Sequence, residues 1–184
     1  MLVLLDRDGV INRDAKIGIL RLEDFQLLPR VPAAIALLTQ AGFRIAICTN
    51  QSAIGRGQLD ERTLDAMHDL LQQEIAKLGG KIDAFYHAAD IPEKPTIRRK
   101  PGPGMLREAM ERFGADPART PMVGDMLRDM EAAHAAGCPR ILVRSGKGAH
   151  TEQQGLPPHL QPITVVDDLF AAAQHIVAHY AGVA

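Results

Sequence analysis

Short apolar runs alternate along this chain with longer segments in which apolar residues recur every three or four positions. The short runs predict β-strands at 2–5, 43–48, 82–86, 121–123 and 140–143, with a sixth, edge strand at 163–166. The longer segments predict amphipathic helices at about 29–41, 60–78, 105–113, 127–136 and 167–180, of which the second is expected to begin at Asp60 and the last at Asp167-Asp168. Strands that alternate with helices are typical of an α/β, doubly wound parallel sheet with helices on both faces. Because neither a repeat nor a linker interrupts the pattern, residues 1–184 are predicted to form one domain.

Two carboxylates directly follow the first apolar run. Asp6 and Asp8 are two positions apart and precede Gly9. On an extended chain such residues project to the same side, at the strand end where open α/β sheets bind ligands. A hard cation that prefers oxygen ligands, such as Mg²⁺, would neutralise the pair. A strand that merely ends in an Asx turn is the alternative interpretation of these residues alone.

Other predicted strand ends also carry polar residues. Thr49, Asn50 and Gln51 follow the second strand, and Gly124-Asp125 follows the fourth. The basic segment 98–100 lies in the loop before the 105–113 helix. Since the carboxyl ends of parallel strands share one edge, these groups can converge. Acids that bind a cation, together with a hydroxyl and a lysine, form a plausible phosphoryl-transfer site.

Composition and charge exclude several classes of protein. The chain has 184 residues, of which 46% are hydrophobic and 23% charged, as in an ordinary globular domain. A formal net charge of −1 gives no basic field that would attract nucleic acid or an anionic membrane. Cys48 and Cys138 form no C-x-x-C pair, and no apolar run is long enough to span a membrane. A cytoplasmic protein is therefore predicted.

Four motifs in this order resemble the haloacid dehalogenase superfamily of phosphatases. They are Asp6-Arg7-Asp8-Gly9, Thr49, Lys100, and Gly124-Asp125 with Asp129 downstream. The resemblance implies that Asp6 is the nucleophile and that Asp8 is the general acid and base. It also implies that Thr49 and Lys100 hold the phosphoryl group. An acid at position 8 favours phosphate-ester hydrolysis over an ATPase-like role, because an alkoxide leaving group needs a proton.

The same resemblance implies a Mg²⁺ site. Its ligands would be the Asp6 carboxylate, the backbone carbonyl of Asp8, and Asp125. Asp129 would orient Lys100 or a metal-bound water. The gaps between motifs are filled by predicted core elements, so no cap domain is expected, and specificity must come from loops or a partner.

Finer details resemble the branch that contains heptose bisphosphate and histidinol-phosphate phosphatases. They are the segments 6–12, 48–57, 99–105 and 143–147. The resemblance implies that Asn12, Asn50, Gln51 and Arg99 contact substrate. It also implies removal of the 7-phosphate of D-glycero-D-manno-heptose 1,7-bisphosphate, a step in the synthesis of nucleotide-activated heptose for the bacterial envelope.

A bisphosphate also suits the cations that the phosphoryl-transfer site does not need. Arg56, Arg99 and Lys147 can provide charge for the distal phosphate, although Arg56 and Lys147 can equally be solvated loop residues.

The sequence departs from this branch at one point. The branch carries a zinc loop with three cysteines and a histidine before the Arg-Lys-Pro motif, whereas residues 87–98 contain no cysteine. Because His87 alone cannot form a zinc site, no zinc is predicted, and Pro92 and Pro95 would stiffen the loop instead. The departure leaves the choice of sugar open.

Three other functions remain as alternatives. Histidinol phosphate is the nearest substrate alternative. Removal of 3′-phosphates from nucleic acid is disfavoured by the net charge of −1 and an aromatic content of 4%. A phosphate-binding module without activity is disfavoured because Asp6 and Asp8 are both present. A monomer or weak homo-oligomer is expected.

Overall fold

The computed structural model describes residues 1–15 and 17–181 and confirms the predicted α/β fold. The strands are β1 (Leu2–Leu5), β2 (Arg44–Asn50), β3 (Ala84–Ala88), β4 (Met122–Gly124), β5 (Arg140–Val143) and β6 (Ile163–Val166). They form one parallel sheet in the order β3-β2-β1-β4-β5-β6. The strand order reverses between β1 and β4, and such a reversal opens a ligand-binding crevice beyond the carboxyl ends of the two strands.

Helices cover both faces of the sheet. They are α1 (Val31–Gln40), α2 (Ser52–Gly55), α3 (Glu61–Ala76), α4 (Gly104–Phe113), α5 (Leu127–Ala136), α6 (Gly148–Gln153) and α7 (Leu169–Tyr180). Single 3₁₀ turns occur at Leu22–Asp24, Pro117–Arg119 and Pro158–Leu160. The aspartates expected to begin two helices do so, since Asp60 accepts a hydrogen bond from Thr63 N and Asp168 from Ala171 N. No cap domain is inserted between these elements in the described ranges.

The first strand lies at the centre of the core. Val3 and Leu5 pack into the apolar layer beneath α1, α3 and α7, whereas Leu2 and Leu4 pack into the layer beneath α4 and α5. All four side chains are fully buried. A strand covered on both faces needs an unbroken apolar run, which is why the sequence before Asp6 does not alternate. The strand therefore delivers Asp6 to a fixed point at the edge of the sheet.

Several predicted boundaries are wrong. The second strand continues through Thr49 and Asn50. The third strand begins and ends two residues later than predicted, and it includes His87, which pairs with Thr49 instead of starting a loop. Leu78 lies beyond the end of α3 and is 53% exposed. The short helices α2 and α6 lie in segments for which no helix was predicted. Sheet hydrogen bonding with β2 extends β3 through the polar His87, which has no apolar signal in the sequence.

A buried histidine packs between α3 and the sheet. His68 is 7% exposed, and its ring stacks on Phe85 with the ring centroids 4.2 Å apart. No described residue forms a hydrogen bond with its Nε2 atom. Burial, with smaller contributions from the charges of Arg7 and His87, lowers the pKa of His68 to about 3. The imidazole is therefore neutral in the folded protein.

Replacement of this histidine is predicted to reduce the acid sensitivity of the fold. An unfolded histidine titrates near pH 6.5, so below that pH the unfolded state gains a proton that folded His68 takes up only near pH 3. Between pH 7 and pH 4 this linkage costs about 3 kcal/mol of unfolding free energy. We expect His68→Phe to lose correspondingly less stability than the wild type in urea titrations at the two pH values. The control His150→Phe, at an exposed position, should behave like the wild type.

Candidate active site

Three carboxylates meet at the crevice between β1 and β4. Asp6 follows β1, Asp125 follows β4, and Asp129 lies in the first turn of α5. One carboxylate oxygen from each residue lies within 4.8 Å of the others, and all three residues are buried. The sheet edge thus brings together residues that are 119 positions apart in sequence.

A buried lysine lies between two of these acids. Lys100 Nζ is 2.8 Å from Asp6 Oδ1 and 2.7 Å from Asp129 Oδ1, and the lysine is 1% exposed. Burial alone would lower the pKa of Lys100, but the charges of Asp129 and Asp6 outweigh burial and raise it. The ammonium group therefore remains charged. Its distance to Asp129 is what the predicted orienting role of that residue requires.

Lys100 and the more distant charge of Arg128 do not compensate three acids. Burial first, and then the charge of Asp129, raise the pKa of Asp6 to about 6. Burial and the charges of Asp6 and Asp129 raise the pKa of Asp125 to about 7. The cluster therefore has a deficit of positive charge.

The backbone of Lys100 is fixed by the last residue of β2. Asn50 Nδ2 donates to the carbonyl oxygen of Lys100 over 2.9 Å, and Lys100 N donates to Asn50 Oδ1 over 3.0 Å. This reciprocal pair couples the loop before α4 to the sheet. Asn50, predicted to contact substrate, therefore uses its amide to hold Lys100, and substrate contact stays a prediction.

The Asp8 carboxylate is held by the side chains of three residues. Its Oδ1 accepts hydrogen bonds from Arg7 Nη2 (2.9 Å) and Asn12 Nδ2 (2.8 Å), and its Oδ2 accepts one from Gln51 Nε2 (2.8 Å). Burial would raise the pKa of Asp8, but the Arg7 charge and these hydrogen bonds lower it. Asp8 is thus an oriented carboxylate that is ionised at neutral pH.

The residues predicted to bind substrate differ in their burial and in the hydrogen bonds that they already make within the protein. Asn12 is fully buried, and Gln51 Nε2 also donates to Thr49 Oγ1 over 2.9 Å. Arg99 is half-buried and donates to the carbonyl oxygen of Asp90 over 2.8 Å. Contact between these side chains, or Thr49, and a substrate stays a prediction.

Two arginines at the site were not identified from the sequence. Arg7 is fully buried and makes the closest charged contact to Asp8. Its position between two acids follows no hydrophobic periodicity, so the sequence gives no indication that the side chain is buried. Arg128 lines the same depression as Asp8 and Gln51. It could have been found, because the first turn of a helix that follows a strand-end acid faces the same edge of the sheet.

The residues present fit a divalent cation. Asp125 Oδ2 accepts a hydrogen bond from Lys147 N over 2.8 Å, whereas its buried Oδ1 has no hydrogen-bond partner among the described residues. Asp6 Oδ1 accepts a hydrogen bond from Arg7 N over 2.7 Å, while no described residue donates to Oδ2. The unpaired Asp125 Oδ1, in a buried cluster of carboxylates, is a suitable ligand for Mg²⁺, and Asp6 Oδ2 is left available to a substrate.

The loop that lacks cysteine is closed by hydrogen bonds. Asp90 Oδ2 accepts hydrogen bonds from Thr96 N and the Thr96 hydroxyl group, and Arg99 donates to the Asp90 carbonyl oxygen. His87, the one potential zinc ligand, lies in β3 with its Nε2 atom 3.2 Å from Glu61 Oε1. The absence of zinc stays a prediction.

Comparisons with known proteins agree with this geometry. The HAD-hydrolase-like family matches residues 97–172. The chain is 40% identical to D-glycero-beta-D-manno-heptose-1,7-bisphosphate 7-phosphatases of Bordetella bronchiseptica and Pseudomonas aeruginosa. Each match covers 96% of this chain and 97% of the relative.

Two solved structures are also similar to this chain. The crystal structure of the B. bronchiseptica D,D-heptose 1,7-bisphosphate phosphatase, complexed with magnesium and phosphate, superposes with a TM-score of 0.91. That match has 40% identity and covers 96% of this chain and 98% of the other. The Burkholderia thailandensis enzyme of the same name gives a TM-score of 0.74 at 41% identity, with the same coverage. The chain therefore belongs to the HAD family of hydrolases.

Proposed function

We propose that this protein is a Mg²⁺-dependent phosphomonoesterase that acts through an aspartyl-phosphate. One observation carries the proposal: Asp6 has one oxygen against Lys100 and a second with no donor among the described residues, beside the acid cluster. A carboxylate held in this way can attack phosphorus without losing its orientation. The two relatives, named as phosphatases, support this assignment.

The first half of the reaction transfers the phosphoryl group to the protein. Asp6 Oδ2 attacks phosphorus while the bond from phosphorus to the ester oxygen breaks. The leaving oxygen takes a proton from Asp8, while Lys100 and Thr49 stabilise the phosphoryl oxygens. Asp8 is ionised in the free protein, but a phosphate dianion beside it raises its proton affinity.

The second half returns the protein to its starting state. The Asp8 carboxylate removes a proton from water, and the water oxygen attacks phosphorus of the aspartyl-phosphate. Inorganic phosphate leaves, and the Asp6 carboxylate is restored. The three residues that bond to Asp8 keep its carboxylate in one orientation for both proton transfers.

Mg²⁺ is the cofactor that the acid cluster fits. Asp6, Asp125 and the backbone carbonyl of Asp8 would hold it, and Asp129 remains engaged with Lys100 and Met126 N. When bound, the ion neutralises negative charge on the phosphoryl group and on the acids. The B. bronchiseptica structure contains magnesium and phosphate.

We propose D-glycero-D-manno-heptose 1,7-bisphosphate as the substrate, with release of the 7-phosphate. Relatives named for this activity match the chain at 35–40% identity. In addition, Arg56, Arg99 and Lys147 line the depression beside Asp8, where a second phosphate would need positive charge. Histidinol phosphate carries an amine in place of a second phosphate and would be repelled by these cations.

Localisation, domain organisation and oligomeric state are proposed from single observations. Cys48 and Cys138 are free and buried, which suits the reducing cytoplasm. No helix in the described part of the chain could cross a membrane. One sheet contains all the strands of the described residues, which supports a single domain. A monomer or weak homo-oligomer that does not bind nucleic acid remains our proposal.

Removal of the nucleophile tests the mechanism. Asp6→Asn keeps the shape of the side chain and removes its charge, so phosphate release should fall by at least about 10³-fold while the circular dichroism spectrum is retained. Asp116→Asn, at an exposed position outside the site, is the control and should keep full activity. Turnover in Asp6→Asn near the wild-type level would refute the assignment of the nucleophile.

The approach of Gly9 to Asp125 gives a test of the metal site. Gly9 has φ of +89°, and a Cβ atom there would lie 2.1 Å from Asp125 Oδ2. Gly42 has φ of +82° with no atom within 4 Å of such a Cβ. Alanine at Gly42 should cost about 1 kcal/mol of stability because the position needs a left-handed backbone, and alanine at Gly9 should cost more because its Cβ atom also clashes with Asp125.

Only Gly9→Ala should also weaken Mg²⁺ activation. We expect at least a tenfold increase in the Mg²⁺ concentration for half-maximal activity, because the Asp125 carboxylate must move. Gly42→Ala should activate like the wild type. Equal activation curves for the two variants would contradict the assignment of Asp125 as a ligand.

Steady-state kinetics on several substrates test the proposed activity. Heptose 1,7-bisphosphate should have a kcat/KM at least about tenfold above those of histidinol phosphate and a 3′-phosphorylated oligonucleotide. EDTA should abolish phosphate release, and added Mg²⁺ should restore it. A preference for histidinol phosphate would overturn the choice of substrate while leaving the mechanism intact.

A further inference from the structure

Four cations line one depression beside the catalytic carboxylates. Arg56, Arg99, Arg128 and Lys147 border it together with Asp8. They come from four different parts of the chain: the end of α2, the loop before α4, the first turn of α5, and the loop before α6. The fold therefore assembles a positive surface that no single segment of the sequence displays.

Three of these cations already have a partner in the protein. Arg56 Nη2 lies 3.8 Å from Glu93 Oε1, and Lys147 Nζ contacts Asp14 Oδ2. Arg99 Nη1 donates to the carbonyl oxygen of Asp90 over 2.8 Å. Each of these contacts fixes one donor of the side chain and leaves others available.

Arg128 differs from the other three. The Arg128 side chain is half-buried, and its Nε atom is fully buried. No described residue accepts a hydrogen bond from this Nε atom. No ion pair joins Arg128 to a carboxylate within the described ranges. Burial of the Nε–H donor without an acceptor costs free energy, so an anion that accepts a hydrogen bond from it would stabilise this arrangement.

The surroundings of Arg128 favour an anion over a structural role. Its charge is close enough to Arg99 to be, after burial, the main reason that the pKa of Arg99 is lowered. Two like charges at short range favour a dianion between them. The charges of Asp129, Asp6 and Asp125 also raise the pKa of Arg128, so its guanidinium group helps to balance the acid cluster, but the close contacts to Asp6 and Asp129 are made by Lys100.

We propose that Arg128, together with Arg99, binds the phosphate group of the substrate that is not transferred. The planar guanidinium group presents paired donors that match phosphate oxygens, and its place beside Asp8 puts this second anion next to the reacting one. Arg128 is thus a specificity-determining residue for bisphosphates. The inference rests on the proposed function.

Kinetics on paired substrates test this role. Wild type, Arg128→Met and Arg128→Lys are compared on heptose 1,7-bisphosphate and on the small monoester p-nitrophenyl phosphate, each at saturating Mg²⁺. For Arg128→Met, the ratio of kcat/KM for the bisphosphate to that for the monoester should fall about 10- to 100-fold, mainly through KM. Arg128→Lys keeps the charge but lacks the paired donors, so its kcat/KM ratio should lie between those of the wild type and Arg128→Met. Arg112→Met, in the last turn of α4, is the control and should leave the ratio unchanged.

The outcomes separate the two levels of inference. Equal losses on both substrates would show that Arg128 serves the acid cluster and would overturn the inference. An unchanged ratio in Arg128→Met, with the wild type still preferring the bisphosphate, would also overturn it while leaving the proposed function in place. If the wild type shows no preference for the bisphosphate, the proposed substrate fails, and the role of Arg128 fails with it.

Discussion

The ion pairs of Lys100 with Asp6 and Asp129 are the interaction on which the rest of the site depends. A buried ammonium group is tolerated only if its partners are close and well oriented, and here both distances are below 3 Å. Asp125 adds a third carboxylate, and no cation among residues 1–15 and 17–181 forms an ion pair with it. The protein alone therefore leaves buried negative charge, which a divalent ion can neutralise. Metal binding and the integrity of the site are expected to be coupled for this reason.

Two local features keep this cluster in place. The fully buried β1 fixes the backbone that leads into Asp6, and Asn50 at the end of β2 fixes the backbone of Lys100 through two hydrogen bonds. Gly9 lets the loop after β1 approach Asp125 closely. The same three regions form the crevice at which the strand order reverses. Catalytic geometry and sheet topology are therefore one constraint.

The structural features that depend on short-range sequence patterns could be predicted. The apolar run before Asp6, the helix-capping aspartates Asp60 and Asp168, and the acids at strand ends are all local signals, and they led to the correct fold and crevice. The bonds of Asn12 and Gln51 to Asp8 could not be predicted, because they depend on how loops turn after the strands. The burial of Arg7 was missed for a related reason: an arginine between two acids suggests a solvated residue until a carboxylate and the Phe25 ring are seen beside it.

The loop before Lys100 is held together by hydrogen bonds within the chain. Hydrogen bonds from Thr96 to Asp90 close the loop, and Arg99 is tied to the same turn through the Asp90 carbonyl oxygen. The loop then continues directly into Lys100, whose backbone is held by the sheet. Arg99, proposed to bind substrate, and Lys100, proposed to bind the phosphoryl group, therefore belong to one segment held by hydrogen bonds. Because Asp90 holds Arg99 while Asn50 of the sheet holds Lys100, we expect a change of loop length or of Asp90 to alter substrate choice before it alters the chemistry.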